Sequence, residues 1–174
     1  DCDKAIIARD TTISVDSLVF TLLYPVVIRR YSNGMLQISY DPTITNPVYL
    51  LKNTIIDPTI RQTANLDKWL FFDVDMLQVG VDPSYYPIER TYNFKKTIVL
   101  NNAFYHARVF YSNTETQNNW VEIATTHSDQ VFDISKPTAV LKVLADTLEV
   151  SIPPVYIVSG ALSGQIRVDV YTTN

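Results

Sequence analysis

Val, Ile and Thr supply 53 of the 174 residues, whereas Ala, Glu and Lys together supply 20. β-Branched side chains are stiff at χ1 and pack well on a pleated surface, while the second group loses least on entering a helix. The acids repeat the bias, with 14 Asp against 4 Glu, since Asp favours turns and caps. The ratio excludes a mainly helical bundle. With 47% hydrophobic residues and a formal net charge of −4, the chain can bury a core, which excludes a disordered tail.

The strand and turn signals are specific. Val26 to Tyr31 and Met35 to Tyr40 flank Ser32-Asn33-Gly34, and Asn-Gly accepts positive φ, so these residues predict a β-hairpin. Leu18 to Tyr24 is a near-continuous apolar run ended by Pro25, the pattern of one buried strand. Alternation returns from Trp69 to Val79, and Asp82-Pro83 and Tyr86-Pro87 then read as a break. Val48 to Asn53 fits a short helix or a short strand equally.

Further on, Thr91 to Leu100, Tyr105 to Tyr111 and Trp120 to Ala124 are strand-like. Ala139 to Leu144 and Leu148 to Ile152 form a hairpin that Pro153-Pro154 stops. In the last strand, Gln165 to Tyr171, Ile166, Val168 and Val170 share one face, which packs. Gln165, Arg167, Asp169 and Tyr171 share the other, which is solvated or meets a partner. The fold class that follows is all-β, an antiparallel sandwich or barrel with little helix. The break at 82–87 divides it into an N-terminal β region, 1–87, and a C-terminal sandwich-like region, 88–174.

Chemistry-bearing residues are sparse. Cys2 is the one cysteine and allows no intramolecular disulfide; near the terminus it reads as an incidental thiol. His106 and His127 stand in no metal-ligand spacing, no Ser has a G-x-S-x-G context, and the acids follow no calcium-loop pattern. Asp73 and Asp75, two apart on an alternating segment, could pair as carboxylates, but a solvated strand face that keeps the sheet from aggregating is the favoured reading. The expectation is therefore no catalytic residue, no metal and no cofactor.

The acidic balance and isolated Lys95-Lys96 and Arg29-Arg30 pairs give no basic stripe, so no nucleic-acid partner is expected. No run of 18 apolar residues is present, so no membrane partner is expected either.

Aromatic residues are abundant, with 11 Tyr, 7 Phe and 2 Trp. Tyr and Trp bring large contact area with a polar end, so some belong to an interface and the rest to the core. Tyr85, Tyr86, Tyr111, Asn118 and Trp120 are the candidate contact residues, on the segments Asp82 to Pro87 and Ser112 to Asn119. An alternative use is stacking on sugar rings by Trp69, Trp120 and exposed tyrosines in a carbohydrate- or receptor-binding module. A glycan-cleaving enzyme built on Asp73 and Asp75 is a third.

Four segments of the C-terminal half carry a resemblance: Tyr105-His106-Ala107-Arg108-Val109-Phe110, Asn119-Trp120-Val121-Glu122-Ile123, Asp129-Gln130-Val131-Phe132-Asp133, and Ile152-Pro153-Pro154 through Gly164 to Thr173. From about Arg90 to Asn174 the chain resembles the β-rich part of tail baseplate wedge proteins of contractile-tailed bacteriophages, the family that includes the baseplate J-like proteins. At Thr147 to Ile152 it departs from the F-G-D-G stretch of typical members. The resemblance implies a non-catalytic virion component in the tail baseplate, assembled in the host cytoplasm. Its partners would be other copies of itself and neighbouring tail and baseplate proteins.

Overall fold

The computed structural model describes residues 3–41, 55–62, 68–89, 93–113, 119–128 and 135–173. The chain forms two compact units, Asp1–Gln78 and Val79–Asn174. This division lies ahead of the break read at 82–87. Those residues belong to strand β9 (Val79–Pro87), which pairs along its whole length with β15 (Gln165–Thr173). Pro83 and Pro87 are compatible with pairing because β9 lies at a sheet edge, where odd-numbered residues aim their backbone nitrogens away from β15.

Among the described residues the first unit holds eight strands: β1 (Lys4–Ile7), β2 (Thr12–Val15), β3 (Leu18–Thr21), β4 (Val26–Arg30), β5 (Leu36–Tyr40), β6 (Ile55–Ile56), β7 (Thr59–Gln62) and β8 (Lys68–Phe71). They form a four-stranded sheet, β1-β4-β5-β6, and two separate two-stranded ribbons, β2-β3 and β7-β8. The Asn-Gly hairpin is present as β4–β5, with Gly34 at φ 81° and the Met35 N–H donating to Asn33 Oδ1 at 3.0 Å.

Two expectations fail in this unit. The run Leu18 to Tyr24 is not one buried strand: Leu22, Leu23 and Tyr24 are buried, but Leu18 lies 41% exposed in the β2-β3 ribbon. The alternation from Trp69 to Val79 is not one strand either. β8 ends at Phe71, and residues 72–76 belong to no strand. Periodicity reports which face a residue takes, not whether a neighbouring strand is there to pair with it. Val48 to Asn53 lies outside the described residues.

The second unit continues with β10 (Phe94–Val99), β11 (Phe104–Ser112), β12 (Val121–Thr126), β13 (Thr138–Leu144), β14 (Thr147–Ile152), the short helix α1 (Pro154–Val158) and β15. One seven-stranded sheet runs β10-β14-β13-β12-β11-β15-β9. Its pairs are antiparallel except β12–β13, which is parallel. The sheet curls until its two edge strands meet: Tyr86 on β9 lies edge-on to Phe94 on β10 at 6.3 Å, and Lys96 Nζ sits 5.8 Å above the Tyr86 ring. The architecture is the expected all-β, barrel-like one.

The core lies inside this curl. Ile166, Val168 and Val170 of β15 meet Ala107 and Val109 of β11, Leu148 and Val150 of β14, and Leu141 of β13. Tyr156 of α1 and Leu162 close one side. Pro154 at the first position of α1 suits a helix start, since a missing N–H there loses no bond.

Candidate interaction surface

Side chains of β11 and β15 alternate between the core and the outer face of the curl. A register shift between Phe104 and His106 sets the phase, so that Ala107, Val109 and Tyr111 point inward while His106, Arg108 and Phe110 point outward. On β15, Arg167, Asp169 and Tyr171 point outward. This second face is not solvated, as its polarity suggests: Asp169 and Tyr171 are buried, and Arg108 is 1% exposed.

The ladder registers arrange these groups in rows. Tyr85 of β9, Arg167 of β15, Phe110 of β11 and Glu122 of β12 lie side by side. One row further, Asp169 stands opposite Arg108. Arg167 Nη2 donates to Asp169 Oδ2 at 2.9 Å, and Arg108 Nε lies 3.8 Å from Glu122 Oε1. Two guanidinium groups and two carboxylates thus form a largely buried, charge-balanced group. Balance matters, because a lone charge at such a depth would be strongly destabilising.

Aromatic rings enclose the cations. Arg167 Cζ lies 4.2 Å over the Phe110 ring and 5.4 Å from Trp120, and Arg108 Cζ lies 5.4 Å from Tyr171. Trp120 meets Tyr85 at 5.7 Å with the rings inclined by 56°. Tyr85 is 55% exposed and Trp120 half-buried, so these two rings form the outer lip of the cluster, with Arg167 fixed behind them.

Of the five sequence candidates, the structure therefore brings Tyr85 and Trp120 together. Tyr86 and Tyr111 turn inward and pack against the core. Asn118 lies outside the described residues. Arg108, Phe110, Glu122, Arg167 and Asp169 were not among the candidates. A signal for them exists in the sequence, because Arg167 and Asp169, two apart within an apolar strand, must share one face.

His106 lies in the same outward row system, its ring 6.0 Å from Tyr171. Its pKa is lowered from 6.5 to about 4, first by burial, then by the positive charges of Arg108 and His127. Acid therefore protonates the unfolded chain before the folded one. The contribution to stability is complete above about pH 6.5, declines as pH falls toward 4, and amounts to about 3 kcal/mol over that interval. In urea titrations at pH 7 and pH 4.5, His106→Gln is expected to lose less stability on acidification than the parent chain. Equal losses would show that His106 does not sense this environment.

Asp73 and Asp75 are exposed, and the Asp75 N–H donates to Tyr40 Oη at 2.6 Å, a backbone role. Among the described residues no group of three or more His, Cys, Asp or Glu is placed to hold a metal ion. Nor is any helix among them long and apolar enough to cross a membrane. Comparison with protein-family models, with curated proteins and with solved structures finds no match for this chain.

Proposed function

We propose that the chain is a non-catalytic structural β module, a component of a tail-baseplate type of virion assembly, that acts by joining copies of itself and neighbouring subunits. The virion setting rests on the resemblance of the C-terminal half to wedge proteins. The observation that carries the joining role is the Tyr85–Trp120 lip over Arg167. Tyr, Trp and Arg are the residues most enriched where interfaces concentrate their binding energy, and immobile side chains lose little entropy on contact. Here the guanidinium is held from behind by Phe110 and Asp169, and Trp120 packs on both Arg167 and Tyr85.

Sugar stacking is less well supported. A flat platform needs near-coplanar rings, whereas Tyr85 and Trp120 incline by 56°.

The test is incorporation. Purified particles from a source carrying this sequence should contain the chain by mass spectrometry. A Tyr85→Ala/Trp120→Ala chain should keep its circular dichroism spectrum yet incorporate at least about tenfold less, as loss of two anchoring side chains implies. Particles lacking the chain, or undiminished incorporation of the double variant, would overturn the reading.

A further inference from the structure

The free edges of the sheets differ in how they are protected. A strand edge is a template for another strand, and proteins usually block it with Lys, Pro, other charges or extreme shortness. β9 carries Asp82, Pro83 and Pro87, β10 carries Lys95 and Lys96, and β1 carries Lys4. β6 has two residues, and the β7–β8 ribbon carries Arg61. The β2-β3 ribbon, among the described residues, has no Lys, Arg or Pro from Thr12 to Thr21; its one charge, Asp16, lies in the turn at φ 55°.

Hydrogen bonds tie the ribbon down at its root. The Thr21 N–H donates to the Leu77 carbonyl at 2.8 Å, the Leu77 N–H returns to Thr21 at 3.0 Å, and the Leu22 N–H donates to the Thr11 carbonyl at 2.9 Å. Because Thr21 directs both backbone groups to Leu77, its rung with Thr12 is of the non-hydrogen-bonded kind. Alternation then turns the backbone groups of Thr12 and Ser14 away from β3, to the open edge of β2. Along one face run Ile13, Val15 and Leu18, exposed by 50%, 54% and 41%. A two-stranded ribbon with its apolar face this exposed is marginal by itself in water.

We propose that β2 pairs edge to edge with β2 of a second copy, antiparallel about a two-fold axis, which joins two ribbons into a four-stranded sheet. This deepens the assembly reading and rests on it. The partner is a second copy because an antiparallel pair of identical strands is self-complementary and the paired strand itself, Thr12 to Val15, carries no charge. The register that uses both outward residues on each copy sets Thr12 against the partner's Ser14 and Ile13 against the partner's Ile13, with four backbone hydrogen bonds. The apolar faces then merge into one. Such a contact covers on the order of 600 Å² in total, below the roughly 1,200 Å² of a stable complex. It is therefore a fast-exchanging dimer that persists where copies are held close together, as in an assembly.

In this register Ile13 and its mate form a non-hydrogen-bonded pair with Cα atoms about 4.5 Å apart, within disulfide reach. In a full-length Cys2→Ser background, Ile13→Cys should form a disulfide-linked dimer under mild oxidation, at least about tenfold faster than Ser14→Cys or Asp16→Cys. Sedimentation equilibrium of the Cys2→Ser chain should show the average mass rising with concentration toward that of two chains, and Ser14→Lys should weaken this at least about tenfold without altering the circular dichroism spectrum. Equal cross-linking at the three positions, or an association that Ser14→Lys leaves intact, overturns the proposal. Failure here together with impaired incorporation of the Tyr85/Trp120 variant would leave the assembly reading standing. Cross-linking at Ile13 by a chain absent from particles would do the reverse.

Discussion

Gly164→Ala is expected to destabilise the seven-stranded unit by about 3–5 kcal/mol, lowering its melting temperature by roughly 12 °C or more. Gly164 adopts φ 85°, a conformation that disfavours any Cβ, and leads directly into β15. An added Cβ would lie 2.3 Å from the Ser112 carbonyl oxygen and 2.7 Å from the Asn113 carbonyl carbon. Those are backbone atoms at the end of β11, so relief requires moving a paired strand rather than turning a side chain. The Gly164 carbonyl also accepts the Ile88 N–H at 2.7 Å, which ties the end of β9 to the same point. Gly34 supplies the control. It has φ 81° with open space around it, so Gly34→Ala should cost only about 1 kcal/mol, the conformational part alone. If urea denaturation places the two variants within 1 kcal/mol of each other, the close approach at Ser112 is refuted.

The second large effect concerns Arg108. Arg108→Ala removes a cation that is 1% exposed, stands opposite Asp169 and lies 3.8 Å from Glu122. Arg167 would then be the one guanidinium left in the cluster to balance two buried carboxylates. Breaking a buried charge group by removing one partner costs about 3–5 kcal/mol, far more than an exposed ion pair. The Arg108→Met/Glu122→Gln pair removes one charge of each sign and keeps the volume, so it should lose clearly less than the sum of its single changes. Urea titration of the four chains gives the coupling. Additive losses, or an Arg108→Ala loss below about 1 kcal/mol, would mean that the cluster is not an energetic unit.

Much of the fold was legible because side-chain period and turn chemistry are local. Asn33-Gly34 marks its hairpin through positive φ, and the alternation of Ile166, Val168 and Val170 marks the inward face of β15. The candidate surface was legible only in part. Trp120 and Tyr85 stand out by residue type, yet nothing local separates Tyr85 from Tyr86. One faces the Arg167 row and the other faces Phe94 because β9 takes its phase from the pairing of Arg167 with Tyr85. The prolines misled for a related reason: an Asp-Pro or Tyr-Pro step reads as a break unless the strand is known to lie at an edge.

By itself, then, the sequence determined an all-β chain with a short list of strands and turns, because 53 β-branched residues and the placement of Gly, Asn and Pro act within a few bonds of each residue. The tertiary structure decided which strands are neighbours, and with that the rest. It placed Arg108 beside Glu122 and opposite Asp169, set Arg167 against Phe110 and Trp120, and, among the described residues, left the β2 edge without a strand partner. These are contacts between residues far apart in the chain, and they exist only once sheet order and register are fixed. Register moves in steps of one residue, and a single step sends every side chain to the opposite face.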